Sequence, residues 1–431
     1  MANILYIHSH DTGRYVQPYG HPIATPNIQR LAEEGVLFRQ AFTTSPTCTP
    51  SRASMLTGEY AHTCGMFGLA HRGFVLGHPE HHLASYLSNS GYLTVLAGMQ
   101  HEHLDPYKLG YQDILPTPTR QACDVAPVAV RFLGSGLRQP FFLSVGFEET
   151  HRPYAEAGPA EDADYCLPPG LFPDDPATRR DMANFKASAH QLDQGIGSVL
   201  NALEENGLAQ DTLVLCTTDH GLAFPRMKCN LNQHGLGVML ILRGPGGFAG
   251  GQVVDALVSQ IDLFPTLCAV AGLNPPAWLQ GVSLMPLIQH KVDAIREAAF
   301  GEVNYHCVYE PMRSARTTRW SYVRRFEDYP HVLLPNCDDS PTKALWVKNG
   351  WTNQKQAREG LYDLYFDPNE LCNLANDPEY LTPLAEMRQR LDAWMVETAD
   401  PLLHGPIPAP TGAELNPWDA ESADDRNYFI R

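Results

Sequence analysis

The sequence predicts an α/β protein, with a mostly parallel sheet sandwiched by helices and a smaller C-terminal α+β domain. Two observations carry this prediction. Through the first two-thirds of the 431 residues, short apolar runs alternate with stretches of helical periodicity. That is the pattern of strands and helices wound around a parallel sheet covered on both faces. After about residue 300 the texture changes to short, half-exposed strands and one amphipathic helix. The chain therefore divides into a large domain over residues 1–300, a small one over 301–400, and an irregular tail over 401–431.

The apolar runs at 4–7, 93–97, 141–145, 212–216 and 238–242 read as buried strands. Thr25-Pro26-Asn27 opens a helix, with Thr25 as N-cap and Pro26 at the first helical position. Ile28, Leu31 and Ala32 follow at helical spacing, and Gly35 closes the helix. Residues 188–203 and 260–271 read as two further helices. Beyond residue 300, 322–326 and 360–365 read as strands, and 383–396 as a helix with Leu384, Met387, Leu391 and Trp394 on one face. The tail from Pro401, rich in Pro, Ala and acidic residues, reads as an irregular strap over the surface. In a parallel sheet, functional residues gather at the carboxyl ends of the strands.

Composition excludes some classes of function. The net charge of −17 and pI near 5.4 argue against a nucleic-acid partner, since a polyanion would meet a repulsive average field. An anionic substrate would need a local cluster of cations or a metal. No run approaches the roughly 18 apolar residues of a membrane span, so no membrane partner is expected. Met1-Ala2-Asn3 leads straight into the first apolar run, and no signal peptide is read there. Ten cysteines without CxxC pairs fit reduced thiols, so a cytoplasmic location is expected.

The strongest local signal is Cys48-Thr49-Pro50-Ser51-Arg52, continuing as Ala53-Ser54-Met55-Leu56-Thr57-Gly58. Pro50 fixes a turn, and Arg52 stands at the start of a helical pattern. A helix N-terminus beside a guanidinium favours an anion. A lone cysteine before a helix is usually structural, but this context is far more specific than a lone cysteine.

C-x-P-S-R followed by A-S-x-L-T-G resembles the signature of the type I sulfatases, in which a maturation enzyme oxidises the cysteine to formylglycine. The resemblance runs through most of the chain. It takes in Ala24-Thr25-Pro26-Asn27 before Gly35, Ser259-Gln260-Ile261-Asp262-Leu263-Phe264-Pro265-Thr266-Leu267, and Gly281-Val282-Ser283-Leu284. It continues through Leu361-Tyr362-Asp363-Leu364 and Asp367-Pro368-Asn369-Glu370. The spacing near the start is most similar to the N-sulfoglucosamine sulfohydrolase branch. Phosphonate and phosphodiester hydrolases share the same framework.

The resemblance implies an alkaline-phosphatase-like fold holding one divalent metal ion, Ca2+ or Mn2+ with Zn2+ or Mg2+ as alternatives. The implied ligands are Asp11, Asp219 and His220, with His10 as a fourth candidate. It also implies Cys48 as the formylglycine precursor, Arg52 and Lys228 as cations for the sulfuryl oxygens, and His101 as the base that helps release sulfate. His151, in His151-Arg152-Pro153-Tyr154, would contact substrate or protonate the leaving group. His234 stands where substrate-facing residues vary; Arg313 and Arg316 are candidates to shape the pocket from the small domain, with solvated arginines as the more ordinary reading. Two departures stand out. His10 occupies a position where many sulfatases carry Asp, and imidazole ligands move metal preference from calcium toward manganese or zinc. Met99, in Gly98-Met99-Gln100-His101, replaces a family lysine; Glu102, His103 or His10 would have to compensate.

The implied activity is hydrolysis of sulfate esters or sulfamates, with a sulfated carbohydrate as the family-level substrate. A phosphonate monoester or phosphodiester hydrolase, and a non-catalytic sugar-binding relative, are the alternatives. Expected partners are an anionic small-molecule or saccharide substrate and the formylglycine-generating enzyme, and a homo-oligomer is compatible with the sequence.

Overall fold

The computed structural model describes residues 1–136 and 139–425. The last six residues of the predicted strap, 426–431, lie outside that range. The large sheet has eight strands: β1 (Asn3–Ser9), β2 (Val36–Phe42), β3 (Leu93–Gly98), β4 (Asp113–Leu115), β5 (Phe141–Gly146), β6 (Thr212–Thr218), β7 (Leu240–Arg243) and β8 (Gln252–Ser259). Their order across the sheet is β4-β3-β5-β1-β6-β7-β2-β8. All neighbours are parallel except β7, which runs antiparallel to both β6 and β2. Of the five strands predicted, the run at 238–242 is therefore the one that departs from the parallel pattern.

The central strands are buried on both faces, with side chains alternating between two cores. Leu5, Ile7, Leu143, Val145, Val214 and Cys216 enter one core. Ile4, Tyr6, Phe142, Leu213 and Leu215 enter the other. This double burial makes each strand read as a continuous apolar run.

The helix Pro26–Glu34 buries Ile28, Leu31 and Ala32. Thr25 does not cap it, because its hydroxyl accepts from the Gln17 N–H at 2.8 Å. The free N–H groups of that first turn go instead to Asp193, which accepts from Ile28 N at 2.8 Å and Asn27 N at 3.2 Å. Gly35 ends the helix at φ −108°, outside the left-handed region. A glycine is needed there because a Cβ would lie 2.4 Å from the Leu242 carbonyl oxygen. The helix read at 188–203 spans Pro176–Glu205, and its Asp175 cap accepts from Ala177 N at 2.8 Å. Residues 260–271 divide into a 3-10 turn, Gln260–Asp262, and the helix Leu263–Ala271.

The smaller sheet is antiparallel, in the order β12-β11-β10-β9, from β9 (Ala299–Tyr305), β10 (Tyr309–Arg316), β11 (Trp320–Arg325) and β12 (Glu359–Asp363). Helix Leu381–Glu397 buries Leu384, Met387, Leu391 and Trp394. The small sheet is tied to the segments around Cys48. Glu302 N–H donates to the Thr44 carbonyl at 2.8 Å and Tyr305 N–H to that of Phe67 at 3.0 Å. Among the described residues no helix is long and apolar enough to cross a membrane, and all ten cysteines are free.

Candidate active site

Four adjacent parallel strands, β3, β5, β1 and β6, deliver the candidate residues from their carboxyl ends. His101 follows β3, His151 follows β5, His10 and Asp11 follow β1, and Asp219 and His220 follow β6. The close crossing of these chain ends depends on Gly146, where a Cβ would lie 2.0 Å from the Met99 carbonyl oxygen and 2.5 Å from the His8 ring. Cys48 and Arg52 come from the other side, in the first turn and a half of helix Cys48–Thr57, all of whose residues are buried. The Ser51 hydroxyl ties that helix to β6 by donating to the Asp219 carbonyl at 2.6 Å.

At the centre stand two buried carboxylates. Asp11 N–H donates to Asp219 Oδ1 at 2.8 Å. His10 Nδ1 lies 2.8 Å from Asp11 Oδ1 and 3.2 Å from Asp219 Oδ2. His220 Nε2 lies 3.3 Å from Asp11 Oδ1, 3.6 Å from Asp219 Oδ2 and 3.4 Å from Cys48 Sγ. Burial pushes both carboxyls up, but the groups around them prevail: the Lys228 ammonium first, then the His10 and His220 rings, hold Asp11 well below the carboxylate range, and Arg52 leads the groups that do so for Asp219. Burial pushes the Cys48 thiol well up, so a bare thiolate is disfavoured here.

Arg52 is occupied by the protein itself. It donates from Nη2 to Asp219 Oδ2 at 2.9 Å and to the Ser9 carbonyl at 2.8 Å, and its Nη1 meets His8 Nδ1 at 2.7 Å. Lys228 Nζ donates to Asp11 Oδ2 at 2.9 Å and to Asp338 Oδ1 at 3.3 Å. Burial pushes Asp338 up, but Lys228 outweighs it and brings the carboxyl to about 2. His151 stands at the open side, 28% exposed, with Nε2 4.0 Å from Asp11 Oδ2 and its ring centre 4.4 Å from that of His10. His101 packs against His10 at 5.4 Å between ring centres. On its other side the exposed His71 stacks at 5.3 Å, with Nδ1 3.2 Å from His101 Nε2.

Backbone strain collects at the same place. Of the seven described non-glycine residues with positive φ, Asp11, His101, Arg226 and Cys229 belong to the centre or flank Lys228. Each such residue costs about 1–3 kcal/mol, which a fold retains when the site's geometry demands it.

The donor set suits a divalent cation. One ligand atom each from His10, Asp11, Cys48 and Asp219 falls within 4.8 Å of all the others, in full burial. Two adjacent buried carboxylates are costly without a compensating positive charge, and Arg52 and Lys228 supply only part of it, because Lys228 also serves Asp338.

All eleven candidate residues were expected at one centre or on its substrate side; the structure takes Arg313, and with it Arg316, into ion pairs of the small sheet. Arg313 is fully buried in the small domain, donating to Asp400 from Nε at 2.5 Å and Nη2 at 3.0 Å, with Glu302 at 3.7 Å. It is a structural ion pair, and Arg316 likewise pairs with Glu370 at 2.6 Å. Neither is solvated, and neither faces the cluster. The His234 ring is held by Tyr15, whose hydroxyl donates to Nδ1 at 3.0 Å, and donates from Nε2 to Asn369 Oδ1 at 3.1 Å. Met99 is buried and brings no charge. Sequence reasoning missed Asp338, His71 and His8. Asp338 is 110 residues from Lys228, and His71 follows helix Cys48–Thr57 without any local pattern to single it out.

The chain belongs to the sulfatase family, a family of sulfuric ester hydrolases. The sulfatase family model matches residues 2–273, and the model for the N-sulphoglucosamine sulphohydrolase C-terminal region matches residues 227–349. Human N-sulphoglucosamine sulphohydrolase is 30% identical, over 89% of this chain and 88% of its own length. An ulvan-active sulfatase of Formosa agariphila is 27% identical, over 92% of this chain and 75% of its own. Among solved structures, a 2-O GAG sulfatase superposes with a TM-score of 0.75 at 21% identity, covering 99% of both chains. The phosphonate monoester hydrolase of Agrobacterium radiobacter superposes with a TM-score of 0.67 at 21% identity, covering 94% of this chain and 97% of its own. These superpositions establish a shared fold.

Proposed function

We propose that this protein hydrolyses sulfate esters or sulfamates of a saccharide, with Cys48 matured to formylglycine and one divalent cation held by Asp11, Asp219, His10 and His220. The observation that carries this reading is the setting of Cys48. It opens a buried helix, 3.4 Å from His220, within reach of both central carboxylates. The human and Formosa relatives, named for sulfated substrates, support the substrate class.

When present, formylglycine supplies the attacking oxygen, and the cation supplies Lewis acidity at that oxygen and at the sulfuryl group. The rest falls to the chain's own side chains. Lys228 presents its ammonium to the sulfuryl oxygens, where negative charge develops. Asp338 holds that ammonium from the far side and acts as a positioning residue. Arg52, whose two Nη groups are engaged by Asp219, Ser9 and His8, positions the Asp219 carboxylate rather than the substrate. His151, at the open side, is placed to protonate the departing oxygen or nitrogen. His101 is placed to take the proton that must leave position 48 before sulfate can go, and its His71 partner gives that proton a way toward solvent.

Expressed together with a formylglycine-generating enzyme, the protein should show the aldehyde mass on the peptide containing Cys48 and release sulfate from glucosamine N-sulfate or an aryl sulfate. An intact thiol, in cells that convert a control sulfatase, would overturn the proposal. One observation favours a second reading: with Met99 in place of a lysine and His10 beside the carboxylates, the centre is poorer in fixed positive charge. Phosphonate monoesters would then turn over faster than sulfate esters, and the ratio of the two rates decides between them.

A further inference from the structure

A cavity of about 420 Å3 lies between the loop after β1, the Leu167–Gly170 segment and the turn at Gln233 and His234. That volume is in the range of small-molecule sites. Arg14, His21, Lys186 and His234 line it, and no aspartate or glutamate does, although the chain as a whole carries 48 acidic residues against 31 lysines and arginines.

Neither cation in this wall is neutralised. Arg14 donates from Nη2 to the Ala41 carbonyl at 2.7 Å and lies over the Phe42 ring at 4.4 Å, while its Nε makes no hydrogen bond. Burial pulls the guanidinium down to about 10, and no carboxylate acts on it in return. Lys186, half-buried on helix Pro176–Glu205, forms no ion pair among the described residues. Space has been kept for the guanidinium, since a Cβ on Gly237 would lie 2.9 Å from Arg14 Cζ. Glu370, the nearest acid to His234, is already engaged by Arg316 at 2.6 Å and by the Gln233 N–H at 2.6 Å. Both cations are half-buried, and a cation drawn even partly out of water is normally paired, because an unpaired one pays the desolvation cost without return.

We propose that this cavity is a second anion-binding site, taking a carboxylate or sulfate group that arrives on a saccharide or as a free ion. Arg14 and Lys186 supply the charge, and the Gln233 amide and His21 supply further polar contacts. Arg14 is three residues from Asp11, and the intervening Gly13 N–H donates to the His220 carbonyl at 2.8 Å. An occupant therefore touches the loop that carries the central carboxylate without entering the catalytic centre.

The test uses full-length protein carrying Cys48→Ala, so that nothing turns over, titrated calorimetrically with sodium glucuronate, sodium sulfate and glucose. At least one anion is expected to bind, with a Kd that weakens about tenfold in Arg14→Gln and in Lys186→Gln, and glucose is expected to be silent. Binding of glucuronate alone assigns the group to a saccharide, and binding of sulfate alone assigns it to a free oxyanion. The proposal fails if neither anion binds, if binding survives both substitutions, or if glucose binds as well as glucuronate. Lys186 is on a helix surface, so its variant keeps the test valid if Arg14→Gln does not fold.

Discussion

Replacing Lys228 with methionine removes one ammonium from between the buried Asp11 and the half-buried Asp338 while keeping the volume of the side chain. Lys228 is 3% exposed and Asp11 0%, and the ammonium lies 2.9 Å from Asp11 and 3.3 Å from Asp338. Breaking a buried pair by deleting one partner costs about 3–5 kcal/mol, because the remaining charge stays buried without compensation. Here the remaining charges are two, and they face each other. In EDTA, the denaturant midpoint of Lys228→Met should therefore drop by an amount equivalent to at least about 3 kcal/mol.

A divalent cation should restore part of that loss, since Asp11 is then neutralised from its other oxygen. Turnover should behave differently. If the ammonium meets charge that develops on the sulfuryl group, its removal should cost about a hundredfold in kcat, and added cation should not recover it. Urea titrations with and without Mn2+, paired with sulfate release under folding conditions, separate the two effects. A variant as stable as the parent in EDTA, or one whose kcat stays within about threefold, would refute the charge accounting proposed for this centre.

Other side chains give independent checks. Arg313→Met should destabilise by about 3–5 kcal/mol by stranding Asp400 and Glu302, seen in denaturation curves, while the folded fraction keeps its kcat. Burial pushes the Glu102 carboxyl up to about 8 from an ordinary 4.5, so the folded chain holds that proton more tightly and stability falls as pH rises between those values. Glu102→Gln should then flatten the pH dependence of thermal melting from 4.5 to 8 and raise stability most above pH 8. His71→Phe should keep the stack on His101 but lose the 3.2 Å contact, lowering kcat with little change in KM. Equal loss in both constants would mean that His71 serves binding instead.

What the sequence made legible was whatever is written locally. The strands on both sides of β1 are double-buried, so each appears as an unbroken apolar run, and the family resemblance could be matched to the residues just beyond their ends. This is why Asp11, His101, His151, Asp219 and His220 could be named without coordinates. Cys48 and Arg52 were legible for another reason: a helix start with a proline and a guanidinium is a local arrangement. Strands β2 and β8 were missed because their patterns are weak. β2 interrupts its apolar run with exposed Arg39 and Gln40, and β8 alternates half-buried and exposed residues over its first half.

Partnership across long separations was not legible, and it decided the cases where expectation and structure part. Thr25 looked like a cap, but Asp193, on a distant helix, takes the N–H groups that a cap would take. Arg313 read as a pocket-shaping or solvated arginine of the small domain; its fate was set by Asp400, 87 residues away. Lys228 was identified through the family resemblance, yet its environment depends on Asp338, contributed by a loop that follows the small sheet's first three strands. The same argument singles out Arg14. Arg52, Lys228, Arg313 and Arg316 each found an acid along the chain; half-buried Arg14, like Lys186, has none among the described residues, in a protein with 48 acids to choose from, which supports a partner from outside the chain.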